Sequence, residues 1–155
     1  MQSRVAKRLI GLVLVAGTTT ATSCGWWLTA RAPLTPPPAF DCITSTLSAQ
    51  SEVRRMDRPW HGHGREGVDV DLSDSSTTHA VGASVSRSPR RVPGDTIFLS
   101  IAWGDRKRPS EAEIRAAATF TGRVVDELRS RCAPQSPREI MCEFGGEPRS
   151  CPPVS

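Results

Sequence analysis

The sequence predicts an α+β fold: a two-layer sandwich in which a four-stranded antiparallel meander carries an N-terminal and a C-terminal helix on one face. Three observations lead there. Residues 68–72, 80–85 and 96–103 alternate apolar and polar side chains, the period of strands with one buried face. Residues 110–131 repeat apolar side chains at helical spacing. A shorter helical pattern, Phe40, Ile43 and Leu47, precedes the strands. A sheet apolar on one side needs a layer to cover it, and two amphipathic helices supply one.

The chain opens with Arg4, Lys7 and Arg8, then the apolar run Leu9–Ala16, then small and hydroxylated residues up to Ala21-Thr22-Ser23-Cys24. This is the order of an export signal: basic, apolar, small. Residues 21–24 resemble the lipobox of bacterial lipoproteins, with Thr22 and Ser23 in good agreement and Ala21 where leucine is commoner. The resemblance covers the signal and not the domain. It implies cleavage before Cys24, leaving residues 1–23 as a removed signal, a thioether-linked diacylglycerol on Cys24, and an N-acyl chain such as palmitate. Three acyl chains exceed the two signals that stable membrane anchoring requires. Gly25 is not the aspartate that resembles an inner-membrane retention signal, so the outer membrane is the favoured address within the envelope. Two rivals exist. Leu9–Leu28 is 20 residues without a charge, the length of a transmembrane helix, although its second half is rich in threonine. Soluble secretion would use cleavage after Ala30-Arg31-Ala32.

Residues 24–38 read as the lipidated cysteine followed by a tether. Pro33 and Pro36-Pro37-Pro38 favour an extended spacer that could lift a domain by about 40 Å. Trp26 and Trp27 follow the lipid site at once, and indoles favour the headgroup zone. The domain proper is placed at residues 39–132. Its first helix is short (residues 39–49), because Ile43, Thr44, Ser45 and Thr46 are poor helix formers. Residues 52–57 form the weakest strand candidate, with Val53 and Met56 out of phase. Val68, Val70 and Leu72 share one face of the second, and Val81, Ala83 and Val85 one face of the third. Ile97, Leu99, Ile101 and Trp103 point inward from the strongest. The separators, residues 59–67, 73–78 and 86–94, carry the Gly, Pro, Asp and Ser of turns. The second helix follows Pro109, opens on a Ser110/Glu113 capping box and buries Ile114, Ala117, Ala118, Thr121, Val124, Val125 and Leu128. Arg129 and Arg131 suit its C-terminal dipole. Residues 133–155 read as a Pro-rich tail closed by its own disulfide.

With Cys24 set aside as the lipid site, Cys42, Cys132, Cys142 and Cys151 remain, an even number in an oxidising compartment. Of three possible pairings, Cys42–Cys132 and Cys142–Cys151 are favoured. The first joins the start of one helix to the end of the other and so requires them antiparallel. The second closes a loop containing Gly145-Gly146. No Cys-x-x-Cys spacing points to zinc.

The formal charge of +4 falls to +1 once Arg4, Lys7 and Arg8 leave with the signal, so the high pI is no nucleic-acid footprint. No reaction motif is present, and the chain is read as a non-enzyme without a cofactor. Gly82-Ala83-Ser84-Val85-Ser86 lacks the final glycine of a nucleophile elbow and has no helix after it. Asp69 and Asp71 alternate outward as a solvated sheet face. His61 and His63, with Glu66 nearby, are the weak candidates for a metal-assisted hydrolase, but His79 falls at the other end of the meander. The first and third turns of a meander share one end, which would gather Arg58, Arg65, Arg87, Arg90 and Arg91 with Trp60 and the histidines into an anion-binding patch. The expected function is a membrane-anchored binding or scaffolding module for an anionic envelope polymer or a protein partner. An inhibitor or immunity protein against an envelope-acting toxin is the alternative within that class.

Overall fold

The computed structural model describes residues 25–62, 64–73, 82–87, 96–104 and 107–151. Its elements are β1 (Trp26–Pro33), α1 (Phe40–Ser48), β2 (Val53–Met56), β3 (Trp60–Gly62), β4 (Arg65–Leu72), β5 (Gly82–Arg87), β6 (Thr96–Trp103), α2 (Glu111–Cys132), β7 (Met141–Phe144) and β8 (Glu147–Arg149). The class is α+β with an antiparallel sheet and two helices, as the patterning predicts. Among the described residues the sheet, however, has eight strands rather than four, in the order β2-β4-β5-β6-β1-β7-β8 with β3 beside β4.

Three corrections account for the extra strands. The segment read as a tether supplies β1, which pairs with β6 along its whole length, from Trp26 opposite Trp103 to Pro33 opposite Thr96, and with β7 on its other side. Its inward residues are Leu28, Ala30 and Ala32, all buried. Alternation is present there, but two of the three inward side chains are alanines, so the apolar signal is faint. The tail likewise supplies a hairpin, β7 and β8, joined by Gly145 and Gly146 at φ 57° and 85°. Two consecutive positive φ values are what a two-residue type I′ turn demands, and glycine adopts them without strain. The remaining difference lies in residues 59–67, read as a separator, which hold β3 and the start of β4.

The weak strand at residues 52–57 is β2, and its poor phase has a cause: the register with β4 shifts between Val53 and Arg55. In β5, Ala83 and Val85 are buried, while Val81 lies outside the described residues. Ile97, Leu99, Ile101 and Trp103 are buried from β6. The core thus forms between one sheet face and the helices, with Ile43 and Leu47 from α1 and Ile114, Ala117, Val124 and Leu128 from α2.

The capping box is present: Ser110 Oγ accepts from the Glu113 N–H at 3.3 Å, and Glu113 Oε2 accepts from the Ser110 N–H at 2.6 Å. Cys42 bonds to Cys132 and Cys142 to Cys151. The first bridge ties the N-terminal turn of α1 to the C-terminal end of α2. At the opposite end of α1, buried Gln50 donates to Glu127 at 2.8 Å and accepts from Arg123 Nε at 3.2 Å. The helices are therefore fixed antiparallel at both ends.

Arg123 also reaches Glu52 at the foot of β2. Burial alone would raise the Glu52 carboxyl, but the Arg123 guanidinium, the residue's own backbone N–H and the Ser51 hydroxyl together hold it below the ordinary value of 4.5. A depressed folded-state pKa contributes stability that is complete above the unfolded value and lost as pH falls through the folded one. Thermal stability is accordingly expected to decline below pH 4.5. In Glu52→Gln, scanning calorimetry from pH 6 to pH 3 should show a shallower decline.

Candidate interaction face

The alternation that sends apolar side chains toward the helices sends a second set to the other side of the sheet, where no described element covers them. Register fixes how they align. One row runs Trp60, Gly67, Ser86, Phe98, Arg31, Met141 across β3, β4, β5, β6, β1 and β7. The next runs Asp69, Ser84, Ser100, Thr29, Glu143. A third runs Asp71, Gly82, Ala102, Trp27.

Small residues fill the middle of this face, and large ones stand around them. The Trp60 indole lies flat on Gly67: a Cβ there would come within 2.5 Å of the Trp60 ring and 2.8 Å of the Val85 carbonyl oxygen. Trp60 Nε1 donates to Asp69 Oδ1 at 3.2 Å, which holds the ring in place. The Arg65 guanidinium stacks 4.0 Å from the centre of Phe98, and Arg31 stands 5.9 Å from the same ring. Thr29 and Ser100 hydroxyls meet across β1 and β6 at 3.4 Å. Trp27 and Met141 are 51% and 61% exposed, the two most exposed large apolar side chains among the described residues. The charges balance: Arg31 faces Glu143 at 3.7 Å, and Arg55 bonds Asp71 at 3.0 Å.

Gly67→Ala is expected to lower stability by about 1–3 kcal/mol, the usual cost of forcing a methyl group into a filled space. Urea unfolding followed by far-ultraviolet circular dichroism measures it. A variant as stable as the parent would mean the indole does not lie on Gly67.

The anion-binding patch expected from the turns does not assemble from the described residues. The start of β4 and the end of β5 do share one end of the sheet. Yet Arg87 is in register with Glu66, on the helix-covered side, whereas Arg65 alternates to the open side. Arg87 pairs with Glu66 and donates to the Pro38 carbonyl, so its charge is spent inside the fold. Arg58 is exposed between β2 and β3. Arg90 and Arg91 lie outside the described residues, as do Cys24, His63 and His79. His61 Nδ1 stands 3.5 Å from Glu66. Among the described residues, no group of three or more His, Cys, Asp or Glu side chains is arranged to hold a metal ion. Ser84 lies in the second row of the open face, within a strand and between Asp69 and Ser100.

Phe98 was legible on this face, because placing Ile97, Leu99, Ile101 and Trp103 inward leaves it outward. Trp27, Arg31 and Met141 were not, since they sit in segments read as tether and tail. Comparison of the chain with protein-family models, with curated proteins and with solved structures finds no match.

Proposed function

We propose that this chain is a lipid-anchored protein of the bacterial envelope that presents the open face of its sheet to a protein partner. One observation carries the reading: among the described residues, the helices cover one sheet face only, and the other displays Trp27, Trp60, Phe98, Met141, Arg31 and Arg65 around a floor of small side chains. Aromatic residues, Met and Arg are the types enriched where proteins meet, and a flat floor with a few large projections suits a protein surface. Two disulfides favour an oxidising compartment, in keeping with the export signal. Matched charges on the face argue for a protein rather than an anionic polymer, which would need uncompensated cations.

β1 also bears on the manner of attachment. Cleavage after Ala32 would remove the strand between β6 and β7, which disfavours soluble secretion. A transmembrane helix could use only Leu9–Gly25, 17 residues with five hydroxylated side chains, because Trp26–Leu28 belong to the sheet. Both observations favour acylation at Cys24. Intact-mass measurement of protein from its host tests it.

Photo-cross-linking in intact cells tests the face. Probes at Phe98, Ser100 and Met141 are expected to trap one protein of discrete mass, and probes at Arg115 and Thr119 on the solvent side of α2 are not. Ser84→Arg, placed in the floor, should abolish the adduct without lowering protein level. Adducts from α2 alone would move the interface to the helices.

A further inference from the structure

We infer that the domain sits directly on the phospholipid bilayer that holds its anchor, with the Trp27 end of the sheet against the headgroups and the open face standing sideways above them. This rests on the reading of Cys24 as the anchored residue. Chain length sets the distance. Ordered structure reaches back to Gly25, where an added Cβ would lie 3.1 Å from the Trp103 carbonyl oxygen. Trp26 already pairs with Trp103. From Cys24 to Trp26 is two residues, at most ~7 Å of chain. An acylated Cys24 therefore cannot hold the sheet away from the membrane. The proline-rich stretch that could have served as a spacer lies after β1, at the far end of the strand.

What surrounds that end fits the seat. Trp27 is half exposed there, beside the Gly145–Gly146 turn, whose Gly145 N–H donates to the Trp27 carbonyl at 3.3 Å. Indoles partition to the headgroup zone. Lys107 and Arg108 are exposed in the segment before α2, with Arg108 stacked 5.6 Å from the Trp26 ring. Glu111 and Glu147 share this end and bond Arg149, and Glu111 also faces Arg108 at 3.7 Å. Near-balanced charge makes the seat a matter of anchor length and the indole, with weak dependence on anionic lipid. The opposite end, bearing Cys42–Cys132 and the start of β4, points away from the bilayer. Strands then run out from the membrane, and α2, about 33 Å long, sets the height.

The test uses full-length protein matured in its host, reconstituted in vesicles of equal parts phosphatidylethanolamine and phosphatidylglycerol with brominated acyl chains. Tryptophan emission is expected to be quenched, Trp27→Phe to remove most of the quenching, and Trp60→Phe to leave it intact. Pure phosphatidylcholine vesicles with the same brominated chains should give similar quenching. Neutron reflectometry of the wild-type protein on a supported bilayer should show protein density starting at the headgroups. Sixteen Gly/Ser residues inserted between Cys24 and Gly25 should open a hydrated layer of about 20 Å. A protein acylated at Cys24 but separated from the headgroups by such a layer, or quenched equally in Trp27→Phe, overturns the seat alone. A protein of full mass without acyl chains overturns the anchor and the seat together.

Discussion

A chain that begins at Leu34 is expected to remain unfolded, while one that begins at Gly25 folds. Deleting β1 removes Leu28, Ala30 and Ala32 from the core and strips β6 and β7 of their shared partner. A buried leucine alone is worth about 2–5 kcal/mol, and domains of this size have only about 5–15 kcal/mol to lose. Two ladders of main-chain hydrogen bonds go with it, leaving donors and acceptors in the middle of the sheet without partners. Amide dispersion in a two-dimensional NMR spectrum distinguishes the outcomes. A folded chain from Leu34 would mean β1 is an accessory strand and would restore cleavage after Ala32 as a route to a soluble form.

Replacing Cys42 and Cys132 together by serine is expected to cost the next largest share. The bridge spans 90 residues, and the chain-entropy account assigns a loop of that size about 4–5 kcal/mol. The melting temperature should fall by about 15 °C. Cys142–Cys151 spans 9 residues, so the matching double variant should lose only about 2.5 kcal/mol. Calorimetry of both variants ranks them. If the short loop proved the costlier, the bridges would be acting through native-state strain or edge pairing rather than through the unfolded chain.

How much of this was readable without coordinates depended on how each segment announces its burial. β6 carries Ile97, Leu99 and Ile101 in strict alternation, and α2 has a capping box and a broad apolar stripe; both were placed to within a residue. β1 alternates too, but its small inward side chains follow a segment that reads as an export signal and precede a run of prolines. Composition there says linker, and only the ladders to β6 and β7 say otherwise. β8 consists of Glu147, Pro148 and Arg149, which no strand propensity favours; the Gly145–Gly146 turn and the disulfide impose it. Arg65 and Arg87 part for a different reason. Turn order correctly placed Arg65 and Arg87 at one end of the sheet, but a strand's two faces diverge there, and a single step of register decided which arginine met water and which met Glu66. The open face escaped notice because its members are scattered from Trp27 to Met141 and converge only through strand order.

That order has a bearing on biogenesis. β1 is among the earliest segments to leave the ribosome, yet its partner in β6 follows 63 to 77 residues later, and β7 later still. A nascent chain therefore holds its earliest strand without a neighbour until synthesis is nearly done. Such delayed, long-range pairing slows compaction. On the route to the envelope proposed above, where a chain threads a narrow translocation channel before its cysteines are oxidised, late closure would keep it in the pliable state that passage requires.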